Sequence, residues 1–398
     1  MSTGSVARSI ARSLGCDAAS TTSHRQLARV VGPAYRHHRQ LSTQSRPALA
    51  APPCTCAQSP ARSYSSYPTQ PVEQKHGAPQ PRRKRTIRDL QANKRKRIPI
   101  TMLTAHDYPS ARFIEAAALP PSSATNGTNE AGSSLPSPSQ QPRGIDIALI
   151  GDSLAMVACG YPSTTHLTLD EMLYHCRAVA RGCKTSLLVA DLPFGTYAVS
   201  VEDGVRAAVR IIQEGHMDAV KIEGGAEVVP LIKRLTDVGI PVMAHVGLTP
   251  QRQAALSGYR VQGKTVASAM KVYDDARAVT EDGGAFAVVL EAIPARLAAW
   301  ITDRLDAPTI GIGAGKGCDG QVLVQLDMLG VDSDLGAGGK GPRFLKRYAN
   351  LGQVATDAVR EYADEVRGGQ FPSEEHTYPI SDEAWRGFLE AATTKARS

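Results

Sequence analysis

Ala219-Val220-Lys221-Ile222-Glu223-Gly224-Gly225 is the stretch on which the fold turns. Ala219–Ile222 is a short apolar run interrupted by a charge, and a glycine pair closes it. In an extended chain Lys221 and Glu223 face one side, while Val220 and Ile222 face the other. A strand so apolar that still carries charges at its end reads as buried on both faces, with its chemistry at the C-terminal tip. Behind it, residues 226–239 have helical spacing and stop at a glycine.

The same grammar repeats on both sides. Before this run lie strand candidates Ile98–Ala105, Ile145–Gly151 and Ser186–Ala190. After it come Pro241–His245, Ala287–Leu290, Pro308–Ile312 and Gln321–Leu326. Continuous rather than alternating hydrophobicity is the habit of parallel strands covered on both faces. Thr168, followed by Asp170 and Glu171, N-caps a helix ending near Gly182. Helices over Val201–Gly215, Ala226–Gly239 and Thr265–Gly283 also run to a glycine. Strand–helix units repeated eight times over about 250 residues predict an α/β fold of the (β/α)₈ TIM-barrel type. An open doubly wound sheet would alternate too, but no GxGxxG turn follows any strand.

The flanks differ in composition. Residues 1–72 hold eight arginines, no lysine and one acid, Asp17, so the whole net charge of +7 lies there and the remainder is neutral. A Ser-, Ala- and Arg-rich, acid-poor segment without an apolar h-region reads as a mitochondrial transit peptide, directing the chain to the matrix after cleavage. A neutral body argues against nucleic-acid binding. No apolar run approaches the roughly 18–20 residues that span a bilayer, so no membrane role is expected. Residues 1–80 are assigned to leader and disordered linker, 81–380 to the barrel and 381–398 to a C-terminal tail. Within the barrel, the Pro/Ser/Asn/Gly-rich residues 120–142 read as a disordered surface insertion, and Asp332–Gly341 as a second, glycine-rich one. The basic clusters Arg82–Arg85 and Lys94–Arg97 are read as an exposed lead-in to the first strand, with a nuclear signal as the alternative. Of seven cysteines, Cys159, Cys176, Cys183 and Cys318 lie in the barrel without metal or disulfide spacing.

Active sites of such barrels sit at the C-terminal strand ends. There the sequence places Asp107, Asp152-Ser153, Asp191, Lys221 with Glu223, His245 and Glu291. Each alone has an ordinary explanation, a helix cap for an aspartate or an ion pair for Lys221 and Glu223. Together they suggest a hard-cation site: Asp152, Asp191 and Glu223 as three carboxylates suit Mg²⁺ with water or substrate oxygens completing its shell. Lys221 is suited to hold a substrate carboxylate. Glu291, flanked by Val288-Val289-Leu290 and Ala292-Ile293, is expected to have a raised pKa and to act as general acid or base. A metal, a carboxylate-holding lysine and a separate base fit enolate chemistry on a 2-oxo acid.

Longer motifs then carry a resemblance. Met102–Ala111 (Met-Leu-Thr-Ala-His-Asp-Tyr-Pro-Ser-Ala), Gly151-Asp152-Ser153-Leu154, Ala190-Asp191-Leu192-Pro193-Phe194, Val220–Gly225, His245–Gln251 and Gly258–Lys264 resemble ketopantoate hydroxymethyltransferases. So do Gly311–Gly315, Asp319-Gly320-Gln321 and Phe371-Pro372 with Glu375-His376. The resemblance implies a barrel of the phosphoenolpyruvate mutase-like type. It also implies transfer of a hydroxymethyl group from 5,10-methylenetetrahydrofolate to 3-methyl-2-oxobutanoate, with Mg²⁺, in a homo-oligomer. Carried over motif by motif, Asp152 and Asp191 are metal ligands and Glu223 a third acid of the metal site. Ser153 and Lys221 hold the substrate carboxylate, Glu291 removes the C3 proton, and His245 lines the pocket. His106 departs from the family's usual tyrosine. Two other readings are a Mg²⁺-dependent lyase or mutase of the same superfamily, which would use a loop cysteine motif absent here, and a non-enzymatic scaffold using the basic stretch.

Overall fold

In a computed structural model of the protein, the residues described are 83–118, 144–255, 258–332 and 341–397. The leader assignment and the 120–142 insertion lie outside them, as does most of the Asp332–Gly341 segment.

Eight parallel strands close into a barrel in sequence order. They are β1 (Ile100–Thr104), β2 (Ile147–Ile150), β3 (Leu187–Asp191), β4 (Ala219–Glu223), β5 (Val242–Gly247), β6 (Ala287–Glu291), β7 (Thr309–Ile312) and β8 (Gly320–Leu323). Closure comes from β8 pairing with β1, Ile100 opposite Gly320 and Met102 opposite Val322. All eight expected strands form. The helices are α1 (Ile87–Arg95), α2 (Tyr108–Ala116), α3 (Leu154–Val157), α4 (Leu169–Gly182), α5 (Val201–Gln213) and α6 (Val229–Asp237). They continue with α7 (Val266–Arg277), α8 (Ala295–Thr302), α9 (Gln325–Leu329), α10 (Leu351–Gly368) and α11 (Asp382–Ala396). The C-terminal tail is thus helical over most of its length.

Strand parity builds two cores. Ile147, Leu149, Leu187, Val189, Ala219, Met243, Ala287, Val289 and Ile310 point into the barrel and pack together. Their neighbours, among them Ala148, Leu188, Ala190, Val220, Ile222, Ala244, Val288 and Leu290, pack outward against the helices. Leu90 of α1, fully buried, plugs the N-terminal end of the inner core. That helix is held by the basic lead-in itself. Lys84 pairs with Asp218, Arg85 with Asp146 and Lys94 with Asp319. Those acids also accept backbone N–H groups of neighbouring strands: Asp146 from Thr101, Asp218 from Leu188 and Asp319 from Thr309. Three of the basic residues therefore seal the barrel floor rather than form an exposed signal.

Three local expectations are corrected. Only residues 313–319 separate β7 from β8, too short for a helix, so seven rather than eight strand-to-strand crossovers or exits carry one. The run expected as Gln321–Leu326 leaves the strand at Leu323, and Gln325 opens α9. Thr168 caps α4 as expected, accepting from Glu171 N. The Gly182 that ends α4, however, is not a left-handed stop, because Cys183 leaves in extended conformation. A Cβ on Gly182 would lie 2.8 Å from the Ala111 Cβ and 2.9 Å from the Tyr108 oxygen, so the glycine serves the close approach of α4 to α2.

Candidate active site

The inward parity of each strand continues upward from the apolar core into its last residues. One step above Val189 stands Asp191; above Ala219 stand Lys221 and Glu223; above Met243, His245; above Val289, Glu291. Register then sets them side by side: Asp191 is opposite Lys221, Glu223 opposite His245 and Gly247 opposite Glu291. Asp152 and Ser153 follow β2 directly. Seven of the eight rim residues named from the sequence line one cavity that opens to solvent at the C-terminal rim. Asp107 does not join them. Its carboxylate caps α2, accepting from Ser110 N at 2.7 Å, the ordinary fate of an aspartate after a strand. His106 also stays out of the cavity; it faces Asp107 at 3.5 Å, and its carbonyl meets His175 Nδ1.

Inside the cavity the charges form a connected set. Lys221 Nζ is 2.9 Å from Asp191 Oδ1 and 3.2 Å from His245 Nδ1. His245 Nδ1 is also 3.4 Å from Glu223 Oε1, and its Nε2 is 3.2 Å from Glu291 Oε2. Asp191 Oδ2 accepts the Asp152 backbone N–H at 3.0 Å. Glu291 is therefore not surrounded by apolar groups alone, since an imidazole stands against it.

Burial dominates the electrostatics. It raises the Asp152 carboxyl well above the usual range, with the Asp191 and Glu223 charges adding to the rise. Burial also works to raise Glu223, but the His245 contact and the charges of His245 and Lys221 outweigh it and hold that acid low. Desolvation pulls Lys221 down, yet Asp191, Glu223 and Asp152 more than compensate, so the ammonium is retained. His245 is pushed down by burial and by Lys221, and pulled up by Glu223 and Glu291 to about 9. The neutral and charged forms of the ring use its two nitrogens differently: Nδ1 accepts from Lys221 only when the imidazole is neutral.

The donor set and its charge suit a hard cation. Among the described residues, the buried Asp191 Oδ1 has no hydrogen bond and meets Lys221 as an ion pair. Asp152 stands near the carboxylates of Asp191 and Glu223 as well as the Lys221 ammonium. Oxygen-only donors of this kind fit Mg²⁺. The three-carboxylate trio is not preformed, however: among the described residues no three His, Cys, Asp or Glu side chains stand close enough around one point to hold a metal. Glu223 is turned toward His245 and the Gln251 N–H, 3.1 Å away, leaving Asp152 and Asp191 as the pair disposed to bind directly.

Four residues of the site carry no role in the sequence reading. Gln251 is buried, and its Nε2 donates to Asp152 Oδ2 at 2.8 Å and to the Leu192 carbonyl at 2.9 Å. Its Oε1 accepts from the Tyr197 hydroxyl at 2.7 Å. Both amide ends are thereby fixed, since a flipped amide would set its oxygen against two acceptors. Thr104 and Asp327 line the cavity. Parity along β1 (Ile100, Met102, Thr104) would have found Thr104. Gln251, Tyr197 and Asp327 have no periodic signal, because loops and a short helix carry them.

Comparison with known proteins agrees with this geometry. The family model described as ketopantoate hydroxymethyltransferase matches residues 137–374. A 3-methyl-2-oxobutanoate hydroxymethyltransferase of Emericella nidulans is 47% identical over 311 residues, covering 78% of this chain and 80% of the relative. Enzymes of the same name from Nitratidesulfovibrio vulgaris and Carboxydothermus hydrogenoformans are 46% and 45% identical. They cover 73% and 75% of this chain and 85% and 96% of their own. A solved phosphonopyruvate hydrolase aligns with 78% of this chain and 98% of its own at 17% identity and TM-score 0.43. With a matched segment that spans seven of the eight strands and every charged residue of the cavity, the chain belongs to the ketopantoate hydroxymethyltransferase family.

Proposed function

We propose that the chain converts 3-methyl-2-oxobutanoate to 2-dehydropantoate, a step of pantothenate synthesis, taking the one-carbon unit from 5,10-methylenetetrahydrofolate. Overall, C3–H is replaced by C3–CH₂OH; water supplies the hydroxyl and tetrahydrofolate leaves. The observation that carries this reading is the single cavity in which Lys221, buried among Asp191, Glu223 and Asp152, stands beside a separate acid, Glu291.

Asp152 and Asp191 would hold Mg²⁺, with Glu223 behind them through water. Bound there, the metal supplies Lewis-acid polarisation of the 2-oxo acid oxygens. The protein's own groups do the rest. Lys221 Nζ and the Ser153 hydroxyl receive the substrate carboxylate. Glu291 takes the C3 proton on one carboxylate oxygen, and His245 Nε2, 3.2 Å away, orients that carboxylate and compensates its change of charge. Apolar Val289 and Ile312 at the same cavity wall suit the isopropyl group.

The superfamily lyase reading is disfavoured because none of the four described cysteines lines the cavity. The scaffold reading loses Lys84, Arg85 and Lys94 to internal ion pairs. Residues 1–72, with their arginine excess, support import into the mitochondrial matrix. Helices α10 and α11 contain no buried residue and expose Tyr362, Trp385 and Phe388, which supports a homo-oligomer that covers them. No described helix is long and apolar enough to cross a membrane.

The test is ketopantoate formation from the two substrates with Mg²⁺, with EDTA and Glu291→Gln alongside. Loss of about 10²–10⁴-fold in the variant is expected for a positioned base. Full turnover by Glu291→Gln would remove Glu291 from the mechanism, and no turnover by the folded, Mg²⁺-supplied wild type would remove the reaction.

A further inference from the structure

The cavity has two unlike halves. Strands β2 to β6 contribute its charges, and these suffice for the carboxylate, keto oxygen and C3 proton of a small 2-oxo acid. The rest of the wall, from β7 and β8 onward, is Ile312, Val322, Leu323, Val324, Phe344 and Leu345. One acid interrupts it. Asp327, on α9, is 8% exposed and lines this apolar side. Among the described residues its buried Oδ1 has no hydrogen-bond partner. An isopropyl group needs apolar wall but no carboxylate, and a buried unpaired acceptor is costly unless something supplies donors.

We infer that the β8 side of the cavity seats the ring of the one-carbon donor, with Asp327 accepting hydrogen bonds from its N–H edge. This rests on the proposed reaction and deepens it. The pyrimidinone half of a tetrahydropterin is planar, so Val324, Phe344 and Leu345 can flank it. Its 2-amino group and the neighbouring ring N–H present two parallel donors, the complement of two carboxylate oxygens. Burial raises the Asp327 carboxyl to about 6, so it is an ionised acceptor at neutral pH. Along the rim the β8 side lies two strands from β6, whose last residue is Glu291.

The experiment is calorimetric titration of the full chain with tetrahydrofolate, and separately with 3-methyl-2-oxobutanoate, for wild type, Asp327→Asn and Asp327→Ala. Wild-type turnover is measured on the same preparation. Asparagine keeps the shape and removes the charge, so folding is preserved and melting temperature checks it. Tetrahydrofolate binding is expected to weaken about 10- to 100-fold in both variants, the range for hydrogen bonds to a charged group. Oxo-acid affinity should stay within about twofold. Unchanged tetrahydrofolate affinity, or equal weakening of both ligands, overturns the assignment of Asp327 while wild-type turnover leaves the reaction standing. Absence of wild-type turnover overturns the reaction and this inference with it.

Discussion

Asp327 also sets a stability cost that can be measured without any ligand. Its carboxyl is moved from the ordinary 3.8 to about 6, chiefly by burial, with Arg347 opposing and Asp332 adding to the rise. A folded-state pKa above the unfolded one means that ionisation favours the unfolded chain. The stability associated with the protonated form is fully present below 3.8 and is lost as pH rises through about 6. The full difference would be about 3 kcal/mol. Because the cavity connects to solvent, screening leaves about 1–2 kcal/mol. Asp327→Asn removes the ionisation and should therefore stabilise the free protein by that amount at pH 7.5, raising the melting temperature by about 2–6 °C. About half of the gain should remain at pH 5 and little at pH 4. Scanning calorimetry of both proteins across pH 4–8 reads it. A gain that is absent at pH 7.5, or equal at pH 4 and pH 7.5, would refute burial as the source. The same substitution is expected to stabilise the free protein and weaken the donor complex, a combination that generic misfolding cannot produce.

Other outcomes follow from the network around the cavity. Gln251→Leu strips donors from Asp152 and the Leu192 carbonyl and leaves the Tyr197 hydroxyl without its amide acceptor. A loss of about 2–4 kcal/mol is expected in denaturant unfolding, against about 1 for Tyr197→Phe; the reverse order would mean that Gln251 does not organise the set. Gly247 has φ +96°, and a Cβ there would lie 2.4 Å from the Glu291 carbonyl oxygen. Gly247→Ala should cost about 1–3 kcal/mol and lower kcat by displacing Glu291; a crystal structure of the variant with Glu291 unmoved would contradict this. Light scattering should return a multiple of the chain mass, and Trp385→Glu with Phe388→Glu should reduce it, since both side chains are about half exposed on α11.

Strand identity and parity were local properties and could be read from the sequence. Apolar runs buried on both faces announced eight parallel strands, and a two-residue period put Lys221 and Glu223 on one side before any contact was known. The identities of Asp152, Asp191, His245 and Glu291 as residues at strand ends were legible for the same reason. What each does there was not. Asp107 and Asp152 both follow a strand, yet one caps a helix and the other enters the cavity, because the chain after each turns differently. The basic stretch read as an exposed lead-in, since its acids, Asp146, Asp218 and Asp319, lie more than 40 residues away in sequence. Register across neighbouring strands put His245 between Glu223 and Glu291. Only closure of β8 onto β1 brought α9 round to the rim and set Asp327 in the wall of the same cavity. A sequence shows which face a residue takes; which other faces it meets depends on pairing and closure, and those are decided by the tertiary structure.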